Sequence, residues 1–246
     1  MKIKIKSDLF DLSIKKELNQ LIWDGDKLNM LVRERLLKIA DDFIEDLEIV
    51  EKEDVEDIRF TGSLANYNYT SYSDIDLHVV VDFQKLSADE KFIQSFFKNK
   101  KTIWNNEHDI TIKGFDVELY VEDDNKEHHS TGIYSVLNDE WYKKPKPTKK
   151  KIDKKAVFKK VEDIISRYKE LAEEGGTESS YKKLFKKIVD MRRAGLEKDG
   201  EYSIENLAFK ILRRAGIIEK IVNTFKELHD KLLTLDERKL LIDDEV

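Results

Sequence analysis

Asp74 and Asp76 stand one residue apart in Ser73-Asp74-Ile75-Asp76-Leu77, and the pair Gly62-Ser63 lies ten residues ahead of them. Side chains alternate along a strand, so the two carboxylates share one face while Ile75 and Leu77 turn to a core. Carboxylates held side by side repel each other unless a cation sits between them. Mg²⁺ suits such a pair, because it takes one or two carboxylates and completes its shell with water and phosphate oxygens. The Gly62-Ser63 turn then has a matching task. Glycine lets a backbone approach a phosphate closely, and Ser63 adds an N–H and a hydroxyl.

The acids precede the apolar run Leu77-His78-Val79-Val80-Val81, which places them at the start of a strand. In doubly wound sheets, ligands lie beyond the carboxyl ends of the parallel strands. A haloacid-dehalogenase-type phosphatase or a DxD glycosyltransferase would carry its apolar run before the acids. The reverse order here argues against both.

Gly-Ser, a gap of ten residues and Asp-hydrophobic-Asp-hydrophobic together resemble the signature of the DNA polymerase β-like nucleotidyltransferase superfamily. The likeness covers roughly residues 20 to 145. It implies a third carboxylate on a later strand of the same sheet, and the segment Lys113 to Val121 supplies that strand. Asp116 and Glu118 share one of its faces, with Phe115, Val117, Leu119 and Val121 on the other. Glu118, between Val117 and Leu119, matches the family's hydrophobic-acid-hydrophobic third motif, and Asp116 is the weaker candidate. The family more often has Asp at this place. More loosely, the whole chain is similar to predicted nucleotidyltransferases of tailed phages.

The resemblance implies a catalytic set of Asp74, Asp76 and Glu118 that holds two Mg²⁺ ions, with Mn²⁺ as a substitute. Gly62, Ser63 and Ser73 would bind the nucleotide, although Ser73 serves as readily to cap the turn before Asp74. The implied reaction moves a nucleoside monophosphate from a nucleoside triphosphate, ATP first among them, and releases pyrophosphate. The acceptor is an RNA end such as that of tRNA, a protein hydroxyl or a small molecule. The rival expectation is a silent module that keeps the fold and binds nucleic acid or a protein partner.

Composition fits a two-part globular chain. Its 246 residues are 40% apolar and 39% charged, and there is no cysteine, which excludes disulfides and thiolate metal sites. Met1 to Lys6 lacks the apolar stretch of a signal peptide, and no apolar run approaches the ~20 residues of a membrane span. The expectation is a cytoplasmic protein with no membrane partner, in the host cytoplasm if a phage encodes it. Residues 1–142 carry 18 basic against 31 acidic side chains, a net of −13. Lys143 to Lys160 reverses this, with ten lysines against Asp153 alone. Such a strap can meet a triphosphate or a nucleic-acid backbone, but solvated linker is the commoner role.

The patterning predicts an α+β fold: a polymerase β-like nucleotidyltransferase domain with a small mixed sheet over 1–144, a basic Pro/Lys linker over 145–152, and a helical domain over 153–246. Helices are expected over 27–48 and 88–104, with a brief helix and loop over 64–72. Strands are expected at 57–61, after Asp74, at 109–112 and at 114–121, with a hairpin about Asn138-Asp139. Four helices should follow: 153–173, one from Thr177 to near Gly195, one from Ser203 to near Gly216, and 217–240. His78 reads as a packed strand residue. His128-His129 reads as no metal pair, because adjacent residues on a strand point apart and no other histidine is spaced to join them. Tyr67, Tyr69 and Tyr72 suggest loop packing, and Arg192-Arg193 and Arg213-Arg214 suggest solvated helix ends.

Overall fold

Strands that alternate apolar with polar or charged residues build a sheet with two unlike faces. The computed structural model describes residues 10–128, 130–148 and 150–235. It is α+β, with a mixed sheet and a helical C-terminal region. Strands β1 (Trp23–Asp24) and β2 (Lys27–Leu28) form a small hairpin ahead of helix α1 (Met30–Leu47). The main sheet contains β3 (Val55–Thr61), β4 (Ile75–Val81), β5 (Thr111–Ile112), β6 (Phe115–Asp123), β7 (Ile133–Ser135) and β8 (Glu140–Lys143). Helices α2 (Phe83–Leu86) and α3 (Glu90–Glu107) link β4 to β6. The strand order is β5-β6-β4-β3-β7-β8, with β4 and β6 parallel and every other neighbour antiparallel.

Ile58, Phe60, Ile75, Leu77, Val79, Val117 and Leu119 make the apolar face, and all are buried. They share one core with the α1 stripe Val32, Leu36, Ile39, Phe43 and Leu47, and with Ile93, Phe97 and Trp104 of α3. Burying a side chain of this size contributes roughly 1.5–3 kcal/mol, so this face fixes the register of every strand. Trp23 stacks on Phe60 and on Trp141, and its indole N–H donates to the Leu64 carbonyl at 2.8 Å. That bond ties the hairpin to the turn that follows β3. Asn29 caps α1 by accepting from the N–H groups of Leu31 and Val32. The helix expected from residue 27 therefore starts at Met30, because Lys27 and Leu28 form the second strand of the hairpin and Gly25-Asp26 its tip.

The chain divides into two compact units, Ser13–Lys149 and a second in which the segment up to Leu12 joins the chain from Lys150 onward. The domain boundary expected at residue 1 therefore moves, because Phe10 and Leu12 belong with the helices. Leu12 is buried in the helical core, and the Phe10 ring meets Phe158 edge-on at 5.1 Å. Helices α4 (Lys154–Glu173), α5 (Glu178–Asp199), α6 (Ile204–Arg214) and α7 (Ile217–Leu233) build this unit, with Asp153, Thr177 and Ser203 as N-caps of the first three. Helix α5 runs through Gly195 rather than stopping there. A Cβ at Gly195 would lie 2.5 Å from Glu205 Cβ and 2.8 Å from Ser203 Oγ, so this glycine admits the start of α6. Among the described residues, no helix is long and apolar enough to cross a membrane.

Asp139 closes the β7–β8 hairpin at φ +57, a backbone region that Asn and Asp tolerate better than most residues. It accepts the Tyr134 hydroxyl at 2.8 Å and lies 3.5 Å from Arg33 Nε, with Lys27 also paired to it. Partial burial alone would raise its pKa. The Tyr134 bond, Lys27 and Arg33 outweigh that and hold it below its ordinary 3.8. A carboxylate depressed in the folded state adds stability that is present above the unfolded pKa and lost as pH falls through the folded one. Asp139→Asn should lower the urea midpoint at pH 7, with the gap from the parent closing as pH falls below 3.8.

Candidate active site

Three strands bring their polar residues to one edge of the sheet. Asp76 pairs with Thr61 of β3 on one side and with Glu118 of β6 on the other. Oxygens of Asp74, Asp76 and Glu118 all lie within 4.8 Å of one another, each residue partly buried. Asp116 is outside that group: it is exposed, and its register partner is Thr111 on β5. An all-oxygen donor set of three carboxylates fits a hard divalent ion such as Mg²⁺ or Mn²⁺.

Gly62 is shaped by the carboxylate beside it. Its φ is +79, and a Cβ built there would lie 1.8 Å from Asp76 Oδ2 and 2.9 Å from Asp76 Cγ. The absence of a side chain is what allows the Asp76 carboxylate to sit against the turn. The expected brief helix over 64–72 is replaced by consecutive turns, the first closed by the Asn66 N–H to the Ser63 carbonyl at 3.2 Å. Asparagines and threonines in this stretch bond their own backbone, which competes with a helix. Asn66 accepts from the Tyr67 N–H at 2.7 Å, and Thr70 accepts from the Tyr72 N–H at 3.3 Å. Tyr67 is buried and Tyr69 packs on the core.

Ser73 is buried, and its hydroxyl accepts the Thr70 N–H at 3.0 Å. The same oxygen is 2.7 Å from Ser63 Oγ. Ser73 therefore caps the turn and positions Ser63, while Ser63 itself is the more accessible of the two.

Two site residues escape a reading of the sequence alone. Tyr120 donates its hydroxyl to Glu118 Oε2 at 2.6 Å, which orients that carboxylate. Burial, with the charges of Asp76 and Glu118, pushes the phenol far above its usual pKa, so it remains a donor. The Lys101 ammonium lies 3.6 Å from the centre of the Tyr120 ring. Burial lowers the Lys101 pKa, and Glu118, Asp76 and Asp74 only partly restore it. Its placement follows from α3: one turn on, the Asn105 amide pairs with both the N–H and the carbonyl of Leu119 at 3.0 Å. Asn105 thereby closes the outer edge of β6, and Lys101 reaches around that edge to the acidic face. The available signal was position, since Lys101 and Asn105 continue the four-residue spacing of Ile93 and Phe97.

A cleft of about 430 Å³ opens beside Glu118, on the side of β6 away from Gly62, lined among others by Lys101, Asn106, Asp109 and Asp116. Other polar candidates have structural partners. Lys144 pairs with Asp26 at 2.5 Å and Lys160 with Glu205 at 2.6 Å, while Lys149 of the strap lies outside the described residues. Arg192 lies over the Phe209 ring, and Arg214 donates to the Asp11 carbonyl, so neither is merely a solvated helix end. No protein-family profile, curated protein or solved structure matches the chain.

Gly25 and Gly62 both have positive φ, but a Cβ at Gly25 would meet no atom within 4 Å. Gly25→Ala should cost only the left-handed conformation, roughly 1–2 kcal/mol. Gly62→Ala should cost measurably more in urea unfolding, because it also displaces the Asp76 carboxylate. Equal losses for the two variants would show that the close approach to Asp76 carries no energy.

Proposed function

We propose that this protein is a nucleotidyltransferase of the polymerase β-like kind, moving a nucleoside monophosphate from a triphosphate, ATP first among them, to an acceptor hydroxyl. The observation that carries the reading is the in-register pair Asp76 and Glu118, with Asp74, beside a glycine turn that the Asp76 carboxylate fills. Asp74, Asp76 and Glu118 would hold the Mg²⁺, which when bound supplies charge neutralisation at the transferring phosphate and a lowered acceptor pKa. Gly62 and Ser63 bind the outer phosphates, and Ser73 holds Ser63 in place. Tyr120 keeps Glu118 oriented, and Lys101 adds positive charge where the reaction develops negative charge.

The bond formed joins the acceptor oxygen to the α-phosphorus, and the bond broken frees pyrophosphate. The hydroxyl proton leaves to solvent. In-line displacement puts acceptor and leaving group on opposite sides. With the outer phosphates at the β3 turn, the acceptor enters by the cleft beyond Glu118. Asp109, Asp116 and Glu118 face it there against the single ammonium of Lys101, which disfavours a polyanionic acceptor. This favours a small molecule or a protein hydroxyl over an RNA end.

The test is an assay with radiolabelled ATP and Mg²⁺, using pooled small alcohols, proteins and RNA as acceptors. Label transfer with pyrophosphate release is expected, and Asp76→Asn should abolish both while leaving the melting temperature nearly unchanged. Neither transfer nor calorimetric binding of Mg²⁺–ATP would overturn the reading. RNA binding that falls steeply with salt and is indifferent to Asp74→Asn would instead favour the silent module.

A further inference from the structure

Further along the acidic face of the sheet lies a second group of ligating side chains, beginning with His78, about 7 Å beyond Asp76 by strand spacing. Arg59 of β3 touches three carboxylates: Asp57 at 3.3 Å, Glu122 at 3.0 Å and Asp124 at 3.0 Å. One guanidinium against three carboxylates leaves excess negative charge. Glu122 exposes only 10% of its side chain, and its Oε2 is fully buried. His78 Nδ1 lies 3.0 Å from that oxygen, an ion-pair contact when the imidazole is protonated, although the pair lacks the geometry of a full hydrogen bond. His128 Nε2 approaches the same oxygen at 3.8 Å. One nitrogen from each imidazole and one Glu122 oxygen all lie within 4.8 Å of one another.

We propose that His78, Glu122 and His128 form a second cation site, which takes a borderline divalent transition-metal ion such as Zn²⁺ or Co²⁺ rather than Mg²⁺. Two imidazoles and one carboxylate suit these ions, whereas Mg²⁺ requires oxygen donors and retains water. Donors about 2.0–2.2 Å from a tetrahedral zinc lie roughly 3.3–3.5 Å apart, and the two contacts to Glu122 Oε2 bracket that spacing. The surroundings of the donors also fit. His78 Nε2 is 3.2 Å from Thr61 Oγ1, and donating there leaves Nδ1 with a lone pair facing Oε2. Glu122 Oε1 is already held by Arg59, so Oε2 is the oxygen left to ligate.

One bond changes on loading. The Ser130 N–H donates to His128 Nδ1 at 3.0 Å, which puts the imidazole proton on Nε2. Ligation by Nε2 moves that proton to Nδ1 and releases the Ser130 N–H. The ion would tie the segment after β6 to β4, leaving an open position for water.

The test uses the full chain carrying Asp74→Asn and Asp76→Asn, stripped with a chelator and titrated with Co²⁺. One equivalent should bind, with the intense visible absorption of a four- or five-coordinate site. Zn²⁺ should displace it, the melting temperature should rise, and the Ser130 amide resonance should shift. His78→Gln and His128→Gln should each abolish the absorption. His128 lies five residues beyond the end of β6, outside helix and strand, so its variant should keep the parent's circular dichroism. Two results would overturn the site: no saturable Co²⁺ binding in the starting variant, or an unchanged spectrum in a folded His128→Gln. Either would leave the three residues as a hydrogen-bonded ion network only.

Discussion

The parallel, in-register pairing of β4 and β6 sets Asp76 directly beside Glu118, and like charges at that spacing must be compensated by their surroundings. Much of the sheet's edge can be understood from that constraint. Tyr120 donates to Glu118, the Lys101 ammonium lies against the Tyr120 ring, and Gly62 gives Asp76 room. None of these partners could hold its place if the strands slipped. A slip of one residue would turn Ile75, Leu77 and Val117 to the charged side, and their burial against α1 and α3 forbids it. The apolar face therefore keeps the acids together, although it touches none of them.

The alternating pattern made most of the sheet legible, because a strand with one aliphatic face and one charged face has few other solutions. Asp74 and Asp76 could be placed on one face from spacing alone. Glu118 could be preferred to Asp116 only through family likeness, and it is the one that the register brings to Asp76. What spacing could not supply was contact between distant segments. Arg59 meets Glu122 across two strand boundaries, and His78 finds His128 at a ring distance of 5.0 Å. The expectation that no histidine could join His128 failed for this reason, while His129 lies outside the described residues. Periodicity also misread the stretch after Gly62, where asparagine and threonine side chains satisfy the backbone that a helix would use. It misplaced the end of α5 as well. A glycine in a helical pattern reads as a stop, yet Gly195 serves the approach of Ser203 and Glu205.

The mixed topology itself has a chemical consequence. β3 and β4 are antiparallel, so the end of β3 and the start of β4 meet at the same edge of the sheet, and Gly62 lies beside Asp76. Glu118 can join them near the start of β6 because β6 runs parallel to β4. Parallel neighbours cannot be linked by a tight turn and need a crossover, supplied here by α2 and α3. That crossover returns α3 along the outer edge of β6, where, among the described residues, β5 pairs with only Phe115 and Asp116. Asn105 answers the outward-facing N–H and carbonyl of Leu119, and the same helix face carries Lys101 one turn earlier. The connection that permits the third carboxylate thus also delivers the cation beside it. A lysine four residues from an asparagine on the buried side of a crossover helix is the sequence trace of that geometry.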